Sequence, residues 1–270
     1  MAEVRAKKAL GQHFLTDLNI ARKIATALSG GTAENPDKVL EVGCGMGVLT
    51  QFLLQRDDIV TYGAEIDSES VEYLHAHYPE FAPRLSEGDF LKMDLRECYG
   101  QRLKIIGNFP YNISSQIFFK VLENRDIVPE CVGMIQREVA VRLAEPPGSK
   151  EYGILSVLLQ AWYDIEYLFT VGEGAFNPPP KVKSAVIRLI RNQRTELGCD
   201  EALFKTVVKT GFNQRRKTLR KSLKPLIRAQ ADRLGWTEEQ LAEFTVDPVF
   251  ELRPERLSVE DFIALTLKLS

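Results

Sequence analysis

Short apolar runs recur along the first two thirds of the chain, and each has the length of a buried strand. They predict seven strands, at 39–43 (VLEVG), 60–65 (VTYGAE), 84–89 (RLSEGD), 103–108 (LKIIGN), 132–136 (VGMIQ), 164–171 (DIEYLFTV) and 184–190 (SAVIRLI). Helical patterns fall between them, at about 17–29, 47–56, 68–77, 115–124, 137–145 and 153–162. Strands that alternate with helices predict a doubly wound, seven-stranded sheet of the α/β class.

The pattern changes after residues 191–200 (RNQRTELGCD), because no further strand pattern appears. The remaining segments predict short helices, two of which have good N-terminal caps: Thr237 followed by Gln240, and Ser258 followed by Asp261. We therefore expect an α/β domain over residues 1–195 and a small all-helical domain over residues 196–270.

Composition narrows the class of protein. Hydrophobic residues make up 44% of the chain and charged residues 27%, as in ordinary soluble proteins. The amino-terminal segment MAEVRAKKALGQHFL has no apolar signal-peptide core, and no apolar run reaches the length of a membrane span. The four cysteines show no C-x-x-C spacing and the three histidines no metal-ligand spacing. We expect a cytoplasmic protein with reduced thiols and no metal.

The net charge of −2 conceals a strongly basic segment. Between Lys181 and Arg228 there are fourteen Lys or Arg residues and three acids, a net charge of +11, so the rest of the chain carries about −13. Such an imbalance indicates a localised anion-binding face. A solvated, salt-bridged helix surface is the alternative.

A glycine loop follows the first predicted strand. Gly43, Gly45 and Gly47 have the spacing G-x-G-x-G, and Val48 stands where a dinucleotide fingerprint requires glycine. Glycines let a ligand approach the backbone without a Cβ collision, which suits S-adenosylmethionine. The predicted second and third strands end at Glu65 and Asp89, whose carboxylates can accept from ribose hydroxyls and an adenine amino group. A tight turn with two solvated acids is the alternative.

The fourth predicted strand runs into Asn108-Phe109-Pro110-Tyr111. Pro110 lacks an N–H and disfavours helical backbone at Phe109, so the Pro110 carbonyl is expected to have no helical partner. With the Asn108 amide oxygen it provides two acceptors, and Tyr111 adds a flat aromatic face. This combination predicts a pocket for an exocyclic base amine. A strand-to-helix turn anchored by a tyrosine is the structural alternative.

Together these motifs resemble the ribosomal RNA adenine-N6 dimethyltransferases, and among them the KsgA/RsmA family that modifies small-subunit (16S) rRNA. The resemblance extends to 7–15 (KKALGQHFL), 176–186 (FNPPPKVKSAV) and 211–223 (GFNQRRKTLRKSL). It implies a Rossmann-like, S-adenosylmethionine-dependent methyltransferase fold. It also implies dimethylation of two adjacent adenosines in a hairpin near the 3′ end of the rRNA, and a role in biogenesis of the small ribosomal subunit.

The resemblance also implies residue roles. Cofactor contacts are expected from His13, Leu15, Gly43, Gly45, Glu65, Ile66, Asp89, Phe90 and Asn108. The target base is expected to meet Asn108, Pro110, Tyr111 and Phe176, with Phe176 as the wall opposite Tyr111, although a core phenylalanine is the simpler interpretation of Phe176. Two positions depart from the family pattern: His13 replaces the usual asparagine, and Phe109, expected to pack behind the pocket, replaces leucine or isoleucine.

The expected RNA face is a basic helix. Lysines and arginines recur there at three- and four-residue spacing, which predicts a stripe that contacts phosphates. The residues are Arg215, Arg216, Lys217, Arg220, Lys221 and Lys224, with Lys7 and Lys8 adding contacts from the amino-terminal arm. The expected partner is 16S rRNA or the immature small subunit, bound by a monomer.

Three other functions stay open on the sequence alone. The large-subunit methyltransferases of macrolide resistance share part of the motif set, but the segment 211–223 favours the small-subunit type. A non-catalytic ribosome-assembly factor would not need Glu65, Asp89, Asn108 and Tyr111. A small-molecule methyltransferase would leave the basic segment without a role.

Overall fold

The structure, a computed structural model, describes Val4 and residues 6–270, the side chain of Lys8 excepted. Within these residues there are nine strands: β1 (Phe14–Leu15), β2 (Asp37–Val42), β3 (Ile59–Glu65), β4 (Leu85–Glu87), β5 (Lys104–Asn108), β6 (Glu130–Gln136), β7 (Tyr163–Val171), β8 (Phe176–Asn177) and β9 (Ser184–Arg191).

The α-helices of the same residues are α1 (Leu18–Ala27), α2 (Thr50–Leu53), α3 (Ser68–His77), α4 (Leu95–Tyr99), α5 (Ser114–Glu123), α6 (Arg137–Ala144), α7 (Ile154–Gln160), α8 (Glu201–Asn213), α9 (Leu219–Ser222), α10 (Lys224–Leu234), α11 (Glu238–Val246) and α12 (Val259–Lys268). The described helices include none that is both long and apolar enough to cross a membrane.

Seven strands form one sheet in the order β4-β3-β2-β5-β6-β9-β7. The predicted seven-stranded sheet is confirmed, since each predicted strand corresponds to one of these seven. Strands β2 to β6 are parallel, whereas β9 runs antiparallel to both β6 and β7. The chain order reverses between β2 and β5, and such a reversal opens a crevice at the carboxyl ends of the two strands.

A second sheet consists of β1 and β8 alone, with Phe14 opposite Asn177 and Leu15 opposite Phe176. The Thr16 N–H donates to the carbonyl of Ala175 at 2.8 Å and extends this pairing. The pairing joins the amino-terminal motif 7–15 to the proline-rich motif 176–186, which are far apart in sequence.

The core of the large sheet includes apolar residues of β2, β5, β6 and β9 packed with α1 and α2. Asp17 caps the start of α1, because its carboxylate accepts hydrogen bonds from the backbone N–H groups of Asn19 and Ile20. The buried face of α1, formed by Ala21, Ile24 and Ala25, joins this core. This packing gives the loops at the sheet edge a rigid support.

The chain divides into two compact units. The first comprises the residues up to Val141 and Tyr163–Arg191; the second comprises Arg142–Trp162 and Asn192–Ser270. The second unit, all of which the structure describes, contains helices and no strand. Segment 142–162 therefore belongs to the second unit, whereas the expected boundary at residue 195 placed it in the first domain. Helix α7 packs with α8 and α12, whereas its place between two strands in sequence suggested a crossover of the sheet.

Candidate active site

A cavity of about 190 Å³ lies where β2, β3 and β5 end. Ten of the predicted site residues line it: His13, Gly43, Gly45, Glu65, Ile66, Asp89, Phe90, Asn108, Pro110 and Tyr111. They come from the amino-terminal segment and from four loops that follow strands. The sheet topology therefore brings together residues that are almost one hundred positions apart.

The glycine loop after β2 needs its glycines. Gly43, Gly45 and Gly47 have φ of 75°, 52° and 78°, a left-handed backbone that residues with a Cβ rarely adopt. A Cβ on Gly47 would also lie 2.5 Å from the ring of Tyr78. The loop can therefore hold its shape beneath a ligand only with glycine at these positions.

Glu65 joins the glycine loop to the end of β3. Its Oε2 accepts from the Gly45 N–H (2.8 Å), and its Oε1 accepts from the N–H groups of Ile66 and Asp67 (2.9 Å each). Burial raises the pKa of the Glu65 carboxyl, while the three N–H donors oppose that rise. Three of roughly four acceptor positions are occupied, so Oε2 keeps one for a ligand hydroxyl.

Glu41, which sequence reasoning missed, lies behind the loop on β2. Its side chain is 1% exposed and accepts a hydrogen bond from Thr50 Oγ1 at 2.6 Å. Burial, and to a lesser degree the charge of Glu65, raise the pKa of Glu41 to about 8 against the lowering effect of the Thr50 hydrogen bond. Its position inside a predicted strand gave no sign that this acid would be a buried, protonatable group.

Asp89 follows β4 and projects a half-exposed carboxylate at the cavity. Its Oδ1 accepts from the Leu91 N–H at 3.0 Å and so starts the short 3₁₀ helix Phe90–Lys92. The Lys92 ammonium lies 3.9 Å from Oδ2. Oδ2 accepts no hydrogen bond from the described residues and is the oxygen available to a ligand.

Asn108 ends β5 with its amide fixed by the amino-terminal segment. Its Nδ2 donates to the His13 carbonyl oxygen at 3.0 Å, and its Oδ1 has no donor among the described residues. The Pro110 carbonyl, expected to have no helical partner, accepts from the Ile113 N–H at 3.2 Å in the turn before α5. A carbonyl oxygen has two lone pairs, so one remains.

Tyr111 is fixed at both its ring and its hydroxyl. The hydroxyl shares a short hydrogen bond with Oγ of Ser184, a buried residue at the start of β9. The ring lies 5.3 Å from the imidazole of His13 at an angle of 30°. Burial raises the pKa of the Tyr111 phenol, so the hydroxyl is neutral at physiological pH. In the sequence, Ser184 shows no signal beyond its place in segment 176–186.

Leu15 and Phe176 lie elsewhere. Both are 4% exposed and belong to the hydrophobic core, paired across β1 and β8. Side chains alternate along a strand, so Phe14 borders the cavity while Leu15 points away from it and borders a smaller adjoining recess. The structure thus corrects the expectation that Phe176 faces Tyr111: its ring is a core residue.

Phe109 packs behind the site, as predicted. Its side chain is 1% exposed and meets the ring of Phe118 edge-on, with centroids 5.8 Å apart. A Cβ on Gly133 would lie 2.5 Å from the Phe109 ring, and one on Gly107 would lie 2.9 Å from it. These two glycines make room for the large side chain that replaces leucine or isoleucine here.

The basic segment is not one continuous helix, contrary to the prediction. Helix α8 ends at Asn213, a turn follows, and Thr218 precedes the short helix α9. Helix α10 then starts with Pro225 in its first turn, where the missing N–H costs no helical hydrogen bond. The cations therefore lie in the turn after α8, in α9 and at the start of α10.

These cations fall into two groups. Arg215 donates to the Lys150 carbonyl and lies 4.0 Å from the Glu255 carboxylate, and Arg220 pairs with Glu251. Four others are exposed and pair with no acid among the described residues: Arg216, Lys217, Lys221 and Lys224. Among the described residues of this segment, the second group therefore carries the charge that no acid offsets.

Lys7 and Lys8 lie in the amino-terminal arm. Lys7 pairs with Asp67 and Glu69, next to the start of α3. The Lys8 side chain lies outside the described residues. Lys7 therefore has acidic partners within its own unit.

Comparison with known proteins gives a consistent result. The family model described as ribosomal RNA adenine dimethylase matches residues 3–245. The ribosomal RNA small subunit methyltransferase A of Parabacteroides distasonis is 58% identical over 267 residues, covering 99% of this chain and 95% of the relative. The protein of the same name from Porphyromonas gingivalis is 58% identical over 271 residues, covering 100% and 99%.

Solved structures agree. A dimethyladenosine transferase from Plasmodium falciparum superimposes with a TM-score of 0.78 at 25% identity, covering 95% of this chain and 97% of that one. The 23S rRNA methyltransferase ErmE has the same fold, with a TM-score of 0.65 at 24% identity and 94% and 99% coverage. With a family model that matches most of its length and relatives above half identity, this chain belongs to the ribosomal RNA adenine dimethylase family.

Proposed function

We propose that this chain dimethylates N6 of two adjacent adenosines in a hairpin near the 3′ end of 16S rRNA, with S-adenosylmethionine as methyl donor. The observation that carries the proposal is one cavity that joins the glycine loop and two carboxylates to the Asn108-Phe109-Pro110-Tyr111 turn. The close relatives are named as small-subunit rRNA methyltransferases. The first unit would carry the chemistry, and the basic surface of the second would bind RNA.

The cavity residues fit the methyl donor. The left-handed glycine loop leaves backbone accessible, while Glu65 Oε2 and Asp89 Oδ2 each keep an acceptor position. We assign Glu65 to a ribose hydroxyl and Asp89 to the adenine amino group, with His13, Ile66 and Phe90 completing the contacts. When bound, S-adenosylmethionine supplies an electrophilic methyl group on a sulfonium sulfur.

Asn108 and Pro110 would activate the target amine. The N6 lone pair of adenine is delocalised into its ring, which makes the nitrogen a poor nucleophile. The free Asn108 Oδ1 and the second lone pair of the Pro110 carbonyl can accept the two amine hydrogens, favouring a pyramidal nitrogen. No side chain has to act as a base, because the nitrogen becomes acidic once it is alkylated. The rate gain would come from orientation and electrostatics.

Tyr111 would hold the base once it has left the RNA stack. Its hydroxyl is tied to Ser184, so its ring is fixed before the base arrives. The unpaired Arg216, Lys217, Lys221 and Lys224 would bind phosphates of the surrounding RNA. Lys7, Arg215 and Arg220 already have protein partners, so we assign them a smaller share of that binding.

The test supplies purified protein and labelled S-adenosylmethionine to small ribosomal subunits that lack the modification, and separately to large-subunit rRNA. We expect label in small-subunit rRNA only. Label confined to large-subunit rRNA would replace the proposal with a function of the resistance type. Tight binding of the subunits without label would instead indicate an assembly factor that works by binding alone.

A further inference from the structure

Two lysines beside the cavity have no acidic partner in the part of the chain that the structure describes. Lys181 and Lys183 are exposed, and neither forms an ion pair with a residue that the structure describes. Other lysines near the cavity are engaged: Lys7 with Asp67, and Lys120 with the Leu91 carbonyl at 3.0 Å. Lys181 and Lys183 were absent from the RNA contacts expected from the sequence.

The segment that carries them is tied to the cavity at both ends. At its start, His13 Nδ1 donates to the Pro178 carbonyl at 2.8 Å. At its end, the Lys183 carbonyl accepts from the Arg137 N–H at 2.9 Å, and the next residue, Ser184, bonds to the Tyr111 hydroxyl. The rings of His13 and Tyr111 are only 5.3 Å apart. Both ends of the segment therefore meet the same wall of the cavity.

Its composition limits its motion. Pro178, Pro179 and Pro180 have fixed φ angles, and Pro180 is buried. The two lysines follow within three residues of Pro180 and flank Val182, which is 45% exposed. Two cations on a short, anchored loop lose less conformational entropy on binding than cations on a free tail.

We propose that residues 178–183, the proline–lysine loop, bind the RNA phosphates next to the adenosine that enters the cavity. A base that leaves its stack brings its own flanking phosphates to the mouth of the pocket. Cations at the mouth of the pocket would bind those phosphates. Lys181 and Lys183 are unpaired cations, and the hydrogen bonds at Pro178 and Ser184 hold their loop beside Tyr111. The inference rests on the proposed function and assigns the loop a share in placing the target adenosine.

The experiment measures binding of unmodified small subunits and methyl transfer to them over a range of salt concentrations. The test variant is Lys181→Gln/Lys183→Gln. The matched control is Arg22→Gln/Lys23→Gln, which removes two exposed charges from α1 of the same unit. A Lys181→Arg/Lys183→Arg variant keeps the charge and checks that the loop itself is intact. Affinity for S-adenosylmethionine is measured for every variant.

We expect the glutamine variant to bind subunits about tenfold more weakly, with a salt slope of log K smaller by roughly 1.4, the value for two lost single-strand phosphate contacts. The arginine variant and the α1 control should keep the wild-type slope, and binding of S-adenosylmethionine should not change. A wild-type slope in the glutamine variant overturns the inference, with or without weaker binding, while leaving the proposed function intact. A wild-type protein that neither binds nor methylates the subunits removes both.

Discussion

At the scale of single residues, the site depends on groups that hold other groups in place. Tyr111 is the clearest case, since its ring is expected to stack on the base while its hydroxyl is held by Ser184. Glu65 is similar, because three backbone N–H groups fix its carboxylate at the edge of the cavity. The residue types at these positions were evident in the sequence. Their partners were not, because Ser184 is 73 residues from Tyr111.

The Ser184 hydrogen bond gives the first prediction. Ser184→Ala and Tyr111→Phe should each lower kcat for methyl transfer about fivefold, the effect expected for one hydrogen bond. The double variant should be no slower than either single variant, because both remove the same interaction. Single-turnover kinetics measure the effect, with the affinity for S-adenosylmethionine as the readout that should not move. Additive losses in the double variant would show that Ser184 does not act through Tyr111.

Glu41 gives a pH prediction. Its pKa rises from 4.5 to about 8 on folding, so between these values the folded protein binds more protons than the unfolded chain. Protonation of Glu41 therefore stabilises the folded protein fully below pH 4.5, and this stabilisation is lost as pH rises towards 8. The free energy of unfolding should fall by at most about 1.4 kcal/mol per pH unit over this range.

Glu41→Gln should remove this slope, because glutamine does not titrate. Urea unfolding at several values between pH 5 and pH 8 measures the free energy of unfolding of both proteins. As pH rises, the free energy of unfolding of the wild type should fall steadily relative to that of the variant. Two parallel curves would mean that Glu41 stays charged in the folded protein.

At the scale of elements, the sequence patterns located the strands of the large sheet well. They missed the two-residue strands and the break in the basic segment. All seven strands of the large sheet were predicted, and most of them are clear apolar runs, although β4 (Leu85–Glu87) has one apolar residue. Strands β1 and β8 have two residues each, too few to show a period, although their pairing joins two motifs of the site. The antiparallel direction of β9 depends on tertiary pairing, which no local pattern records.

The basic segment shows why spacing alone misled. Lys and Arg that recur at helical spacing predicted one basic stripe on a single helix. Thr218 and Pro225 favour the starts of helices, so the segment forms a turn followed by α9 and the first turn of α10. Which cations are free also depends on acids elsewhere in the second unit, such as Glu251 for Arg220. The sequence showed the charge excess without showing its distribution.

This distribution gives the element-scale prediction. Lys217→Gln/Lys221→Gln should weaken binding of unmodified small subunits on the order of tenfold at fixed ionic strength, because both charges are free to meet phosphates. Arg220→Gln, which removes a cation already paired with Glu251, should change binding less than twofold. Filter binding compares the three proteins. An equal loss in the Arg220 variant would contradict the division into free and paired cations.

At the scale of the whole molecule, we propose that the first unit carries out catalysis and that the second binds most of the RNA. The segment Arg142–Trp162 lies between strands in sequence yet belongs to the helical unit, so the two units are not simply consecutive in the chain. The crossing of the chain between them explains why a boundary drawn at a single residue misplaces helix α7. Membership of the ribosomal RNA adenine dimethylase family rests on nearly the full length of the chain.

The most direct test of the account identifies the nucleoside that the protein makes. Wild type, Asn108→Ala and Tyr111→Ala would each be incubated with S-adenosylmethionine and unmodified small subunits, and the digested rRNA analysed by mass spectrometry. We predict N6,N6-dimethyladenosine from wild type and about a hundredfold less from either variant, as expected when orienting and electrostatic contacts are lost. Tyr111→Ala should still bind S-adenosylmethionine, which shows that it folds. Circular dichroism checks the fold of Asn108→Ala, because Asn108 is also an expected cofactor contact. Undiminished dimethyladenosine from folded Tyr111→Ala would contradict the central claim that this cavity holds the target base.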